Sequence, residues 1–369
     1  MPKIIVKIPS TKKYSYPIWI DTKLLQQSNW LPKNLNVTHI VIITDHTVKK
    51  LFAKQLIHQL KKLKHNPLLL TFPPGEQAKV AKTQHYLAEQ MMRHRCSRDT
   101  LCIALGGGVV GDLTGYLAAT YMRGIPYIQV PTTLLSMVDS SIGGKTGINT
   151  AYGKNLIGAF YQPKAVVADI DCLTSLPKKQ FINGLIEALK MFLTSDKKSF
   201  LYLQKNLSSL LAKDPTALKN LIHRAIKIKA AIVQQDEKER NLRMVLNFGH
   251  TIGHALEQIS QYKMLHGHAV AFGILVEAKI AEIMGLLDNS TYLVIQTILK
   301  DLGFNSAKLK KFSAEKIIHA TRSDKKISQG KVRYILLKNI GEVHQVQQCF
   351  AHNISDQVVK KAFLAIMEK

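Results

Sequence analysis

The sequence predicts an α/β fold in two parts, a Rossmann-like parallel sheet at the N-terminus and a mostly α-helical domain at the C-terminus. Three observations carry this. The 369 residues are enough for two cores. In the first half, short near-continuous apolar runs alternate with helical patterns, as buried parallel strands with crossover helices do. After about Ser175 the texture changes to long amphipathic stretches. Pro177 punctuates the change, so the expected domains are 1–175 and 176–369.

The predicted strands are Ile4–Ile8, Ile40–Thr44, Leu68–Phe72, Leu101–Leu105, Tyr127–Val130 and Ala165–Asp169. Helical spacing covers Val48–Leu63 and Lys79–Arg93 between them. Beyond the boundary the predicted helices are Lys179–Leu193, Leu218–Gln235, Thr251–Ile259, Ala269–Met284 and Thr291–Leu302. A hairpin is expected near Val332–Leu337, with its turn at Asn339–Gly341.

Composition excludes several classes. A hydrophobic share of 46% rules out wholesale disorder. No apolar run reaches the roughly 18–20 residues of a membrane span, and lysines at 3, 7, 12 and 13 interrupt any signal-peptide core. Cys96, Cys102, Cys172 and Cys349 form no CxxC pair, which suits reduced thiols and a cytoplasmic location. The net charge of +26 would attract anions, but its lysines are dispersed and no nucleic-acid-binding motif is present. A basic surface that gathers phosphorylated substrates is the expectation.

Leu101–Leu105 runs into Gly106-Gly-Gly-Val-Val-Gly-Asp112, in which Gly106, Gly108 and Gly111 satisfy G-x-G-x-x-G between a strand and a helix. Such a turn lets backbone N–H groups approach a pyrophosphate. The following strand ends in Pro131-Thr-Thr133 and offers no acid for a ribose hydroxyl; Asp45, after Ile40–Thr44, offers one instead. Dinucleotide binding by a variant geometry is expected.

Arg123, Asp139, Lys145, Lys154 and Asn155 lie in three glycine-rich stretches, 120–124, 138–146 and 153–155. Charges among small residues suit a small, multiply charged ligand. Gly143-Gly-Lys-Thr146 is not a P-loop, because Asp139 stands where its first glycine belongs.

The second half offers Glu187, His250, His254, His266 and His268 as metal-ligand candidates. His250 and His254 share a helical face, but Thr251 replaces the glutamate of H-E-x-x-H, which excludes that metalloprotease pattern. One glutamate and two histidines with an open position make a common catalytic metal set.

In joint order and spacing, Gly106–Asp112, Thr120–Gly124, Pro131–Leu135, Asp139–Lys145, Gly153–Phe160 and Asn247–Glu257 resemble the 3-dehydroquinate synthase family, from Pro74–Lys79 to Asp324–Lys326. The resemblance implies an NAD-binding α/β domain, a helical metal-binding domain and an active site between them. It implies a homodimer that converts 3-deoxy-D-arabino-heptulosonate 7-phosphate to 3-dehydroquinate and phosphate. The implied metal ligands are Glu187, His250 and His266, with Zn2+ or Co2+ as the metal. The implied NAD contacts are Asp45, Glu76, Lys79, Gly107, Gly108, Val109, Val110, Gly111, Asp112, Thr132, Thr133, Lys145, Lys154, Cys172, Leu173, Thr174 and Ser175. Asp139, Lys145, Asn155, Lys190, Lys229, Arg243, Asn247, His254 and one of Lys325 and Lys326 would meet substrate, and Arg123 its phosphate, from this or a neighbouring subunit.

Two departures stand out. The family's His-Gly-Glu reads His266-Gly267-His268 here, so either the lost acid lies outside the ligand set or His268 competes as a ligand. Ser136-Met137 replaces the more usual Ala-Gln. The alternatives are another sugar-phosphate cyclase, a metal-dependent polyol dehydrogenase of related fold, and a basic nucleic-acid-binding protein.

Overall fold

The computed structural model describes residues 14–27, 29–32, 37–322 and 332–367. The predicted strand Ile4–Ile8 and the candidates Lys325 and Lys326 lie outside these residues.

The N-terminal part is built from β1 (Ile18–Asp21), β2 (His39–Asp45), β3 (Leu68–Phe72), β4 (Thr100–Gly106), β5 (Tyr127–Pro131) and β8 (Val166–Asp169). They form one sheet in the order β1-β8-β5-β4-β2-β3, with every pairing parallel. Helices cover both faces, which is why β4 is buried along its whole length and reads as an unbroken apolar run. Alternate residues feed two cores. Ile40, Ile42, Leu101 and Ile103 join a core that continues into the helical domain. Val41, Ile43, Cys102 and Ala104 pack with Leu87 and Leu113 on the opposite face.

After β2 the chain winds through α1 (His46–Val48), a π-helical turn at Lys49–Ala53 and α2 (Lys54–Lys62); α3 (Ala81–Arg93) and α4 (Gly108–Thr120) follow β3 and β4. Between β5 and β8 stands a hairpin of β6 (Lys145–Thr150) and β7 (Gly153–Phe160). The charged residues expected there on glycine-rich loops are therefore largely on strands. The glycines misled the reading because they serve strand packing: a Cβ on Gly158 would sit 2.1 Å from the Thr146 carbonyl oxygen across the hairpin.

The helical domain comprises α5 (Lys178–Ser195), α6 (Lys197–Lys205), α7 (Leu207–Leu211), α8 (Pro215–Gln235), α9 (His250–Ile259), α10 (His266–Ile283), α11 (Asn289–Asp301), α12 (Ala314–Thr321) and α13 (Asp356–Met367). Helix α10 is its axis, with an unbroken buried run from Ala269 to Ala281. The short strands are β9 (Arg333–Ile335), β10 (Leu337–Asn339), β11 (Glu342–Val343) and β12 (Ala351–Asn353). The expected hairpin is thus only half right. The chain turns at Ile340-Gly341 between β10 and β11, but β9 pairs with the distant β12. Among the described residues no helix is long and apolar enough to cross a membrane.

Candidate active site

The parallel sheet places the C-terminal ends of its strands along one edge. Chain order reverses between β2 and β4, since β3 lies beyond β2 while β5 and β8 lie beyond β4. Ligand crevices in open α/β sheets form at such a reversal. Asp45 ends β2 and Gly106 ends β4, so the two features singled out in the sequence flank this crevice. Gly107 precedes α4 without a side-chain cap, and the first bond into the helix is donated by Gly111 N–H to the Gly107 carbonyl at 3.0 Å. The N–H groups of 108–110 therefore have no acceptor in the helix and are available to an anion. Val110 contributes backbone only, because its side chain folds under Gly106, 2.4 Å from where a Cβ would stand. Asp45 caps α1 through Oδ1, which accepts from Thr47 and Val48 N–H.

Thr132 and Thr133 follow β5 against the glycine turn: Thr132 N–H donates to the Gly106 carbonyl at 2.9 Å, and a Gly107 Cβ would lie 3.2 Å from Thr133. Residues 172–175 turn at the end of β8 with Cys172 and Leu173 buried. Lys79, nearly buried, donates at 2.5 Å both to Asp112 in α4 and to Asn155 in β7. Glu76 accepts from Asn149 Nδ2 at 2.7 Å. These contacts join the glycine turn to the hairpin.

Glu187 of α5, His250 of α9 and His266 of α10 converge, with ligand atoms within 4.8 Å of one another. Tetrahedral ligands with bonds of about 2.0–2.2 Å stand roughly 3.3–3.6 Å apart, so a cation would draw these three atoms slightly closer together. Burial makes the case specific. Glu187 Oε2 pairs with Lys190, while Glu187 Oε1 is buried with no hydrogen-bond partner among the described residues. A solitary buried carboxylate oxygen is costly unless something positive meets it. His250 Nδ1 lies 3.2 Å from the Phe248 carbonyl, and His266 Nδ1 lies 3.1 Å from Glu257 Oε2. Both rings thus have Nδ1 against an oxygen, the arrangement that orients an imidazole to ligate through Nε2. His266 Nε2 lies 3.7 Å from Glu187 Oε1, within ion-pair range but beyond a hydrogen bond.

A second group, His254, Glu257 and His266, also has ligand-like spacing. Glu257 already meets His266 and, at 3.0 Å, Lys154, so it is an orienting group. Burial pushes the Glu257 carboxyl up, but His266 and Lys154 outweigh this and hold it at about 2. His268 stands apart. Its Nε2 is 3.3 Å from the Lys179 carbonyl, its ring packs edge-on to Phe304, and burial lowers its pKa. The structure thus sets His268 outside the ligand set.

Burial lowers the pKa of His266, but Glu257 and Glu187 beside it outweigh this and raise it, so the metal-free ring holds its proton to higher pH than an ordinary imidazole. A cation must displace that proton. Cobalt affinity, followed by equilibrium dialysis, should fall by about one decade per unit as pH drops below 6.5; a pH-independent affinity there would contradict this ligand.

From the triad a series of charges runs along the cleft. Lys190 lies beside Asp139, and Asp139 accepts from Lys229 at 2.5 Å. Arg243 is buried, donating to the carbonyls of Glu237 at 2.5 Å and Gly143 at 3.4 Å. Gly143 has φ +94, and a Cβ there would lie 2.5 Å from the Arg243 guanidinium, so glycine is required. Lys145 pairs with Glu239, whose other oxygen accepts from Asn247 Nδ2 at 2.7 Å. His254 lies within the imidazole cluster, 5.3 Å from His250 between ring centroids.

The structure therefore gathers Glu187, Lys190, Asp139, Lys229, His250, His254 and His266, and links Lys145 to Asn247. Arg123 is exposed and makes no hydrogen bond or ion pair among the described residues. Sequence reasoning missed the roles of Glu239 and Glu257. The latter's spacing, two turns beyond His250 and three residues after His254, was the available signal.

Residues 69–183 match the family model described as 3-dehydroquinate synthase N-terminal, and 184–327 match 3-dehydroquinate synthase C-terminal. A 3-dehydroquinate synthase of Dehalococcoides mccartyi is 38% identical over 96% of both chains. Among solved structures, 2-epi-5-epi-valiolone synthase from Streptomyces hygroscopicus, with NAD+ and Zn2+ bound, aligns with TM-score 0.88 and 26% identity over 98% of this chain and 99% of its own. A 2-deoxy-scyllo-inosose synthase complexed with carbaglucose-6-phosphate, NAD+ and Co2+ aligns with TM-score 0.85 and 27% identity over 94% and 95%.

Proposed function

The chain belongs to the 3-dehydroquinate synthase family, and on that premise we propose how its residues divide the reaction. It is an enzyme that converts 3-deoxy-D-arabino-heptulosonate 7-phosphate to 3-dehydroquinate and phosphate, with NAD and a divalent cation as cofactors. The observation that carries the site assignment is the buried Glu187 Oε1, without a hydrogen-bond partner among the described residues, beside two imidazoles whose Nδ1 atoms are engaged. When bound, NAD supplies a hydride acceptor that is regenerated within the cycle, and Zn2+ or Co2+ supplies a Lewis acid.

Glu187, His250 and His266 hold the cation. Asp45, Glu76, Lys79, the Gly107–Asp112 turn, Thr132, Thr133, Lys154 and the Cys172–Ser175 turn hold the dinucleotide. Lys229 and Arg243 hold the substrate carboxylate, a task suited to a planar guanidinium. Lys145, Asn247 and His254 take the phosphate, with Glu239 giving up its two partners as the anion arrives. Asp139, Asn155 and Lys190 orient the ring hydroxyls, and Lys325 or Lys326 adds a further cation. The domains divide at 175/176.

The protein acts in the cytoplasm as a homodimer. The outer edge of β7 supports this reading: Leu156, Ile157 and Phe160 are exposed there beside Tyr152, and an edge unpaired among the described residues invites pairing with its own copy. Exposed Arg123 then serves a phosphate in the neighbouring subunit.

Incubation with the heptulosonate phosphate and substoichiometric NAD should release many phosphates per NAD and build no NADH. Stoichiometric NADH would favour a polyol dehydrogenase, and turnover of a substrate lacking the carboxylate would favour a sister cyclase. Lys145→Ala should reduce kcat at least about 100-fold while changing NAD affinity less than threefold. Equal loss of both would move that lysine to the cofactor.

A further inference from the structure

The two helices that open on the candidate metal histidines take their caps from other helices. Helix α9 begins at His250 and α10 at His266, and neither has a side-chain cap from its own N-cap residue. Gly249 has no side chain and Leu265 no polar one. Each N-terminus is instead capped from a neighbouring helix. Glu277 of α10 is completely buried; its Oε2 accepts from Gly249 N–H at 2.8 Å and its Oε1 from Ile252 N–H at 3.4 Å. Asn183 of α5 is 5% exposed, and its Oδ1 accepts from Gly267 N–H at 2.6 Å.

The capping helices are themselves the ligand helices. Asn183 lies one turn before Glu187, and Glu277 lies on the helix that His266 begins. So α5, carrying Glu187, caps α10, carrying His266; α10 in turn caps α9, carrying His250. Glycines allow the close approach this needs. A Cβ on Gly267 would lie 2.2 Å from the Asn183 carbonyl oxygen, and one on Gly273 would lie 1.8 Å from the Gly249 carbonyl oxygen. A helix N-terminus buried without a partner is costly, so both caps fix where the first residue of each helix sits.

We propose that Asn183 and Glu277 are positioning residues for the metal centre, setting the relative placement of Glu187, His250 and His266 through two helix caps supplied in trans. Neither touches the cation or substrate. The inference rests on the metal-site reading above. Its physical content is pre-organisation: without a cap, the first turn loosens and its histidine samples positions from which Nε2 no longer meets the other two ligands.

The test is cobalt titration of the full-length metal-free protein at 20 °C, read by Co2+ absorption and equilibrium dialysis, with circular dichroism to establish folding. Asn183→Ala and Glu277→Ala should each weaken cobalt binding by about 10–100-fold, the range for outer groups that orient ligands. The ligand-field bands should shift in both. Asn183→Asp keeps the acceptor oxygen and should stay within about threefold of wild type. Glu277→Gln keeps one acceptor and should fall between. A purely structural role predicts lower melting temperatures with unchanged cobalt affinity and spectrum, and that result overturns the proposal. If Glu277→Ala does not fold, the Asn183→Ala and Asn183→Asp pair decides. If wild type binds no cobalt, or His250→Ala binds it equally well, the metal-site reading itself fails.

Discussion

His250→Ala should abolish zinc and cobalt binding and, with it, turnover. The ring is nearly buried, opens α9, and has its Nδ1 against the Phe248 carbonyl. It supplies the third ligand atom of the group formed with Glu187 and His266. Removing it leaves one oxygen and one nitrogen, below the three protein ligands that catalytic zinc sites use. Losing an orienting group costs about 10–100-fold in metal affinity, so losing a ligand should exceed about 100-fold. Dialysis followed by elemental analysis measures this directly. A folded His250→Ala protein that is metal-free and fully active would refute the assignment.

Lys229→Met should eliminate turnover and also destabilise the protein. Asp139 and Lys229 form a pair across the cleft, with side chains 25% and 8% exposed. Burial raises the Asp139 pKa, but Lys229, Lys190 and Arg243 outweigh it and hold the carboxyl well below the usual carboxylate range. The sign follows. A depressed folded-state pKa stabilises above the ordinary value of 3.8, and that stability is lost only as pH falls through the depressed value. Wild type should therefore keep this contribution down to about pH 4. Removing one partner of a buried pair costs about 3–5 kcal/mol, and the residual exposure of Asp139 favours the lower end. At about 2–4 °C per kcal/mol for a domain of this size, the melting temperature should drop by several degrees. Asp139→Asn/Lys229→Met should recover most of the stability and none of the activity. An unchanged melting temperature in Lys229→Met would show the pair to be energetically idle.

The central strands were legible because burial on both faces leaves no ambiguity: Leu101–Leu105 reads as apolar throughout and lies inside β4. The glycine turn and the glutamate and histidines were legible because their chemistry requires those residue types. The β6–β7 hairpin was not, since its glycines resemble loop residues while permitting backbone contact. The partner of β9 was not, because β12 follows β10 and β11 in sequence and local turn chemistry points to the nearer strand. Asn183, Glu239, Glu257 and Glu277 escaped for one shared reason. Each acts on a backbone group or side chain brought to it by folding, as Asn183 does on Gly267 across 84 positions. Of the four, only Glu257 left a trace in local spacing, on the helical face of His250 and His254. His268 was ambiguous in sequence; the packing of its ring against Phe304 and its contact with the Lys179 carbonyl separate it from the ligands.

Cobalt-edge anomalous diffraction from crystals grown with Co2+ and NAD+ tests the central claim most directly. The expected map has one strong peak about 2.0–2.2 Å from Glu187 Oε1 and from Nε2 of His250 and His266, with the nicotinamide facing it and the pyrophosphate at the Gly107–Gly111 turn. Cobalt held instead by His254, Glu257 and His266, or a dinucleotide bound away from the crevice between β2 and β4, would contradict it.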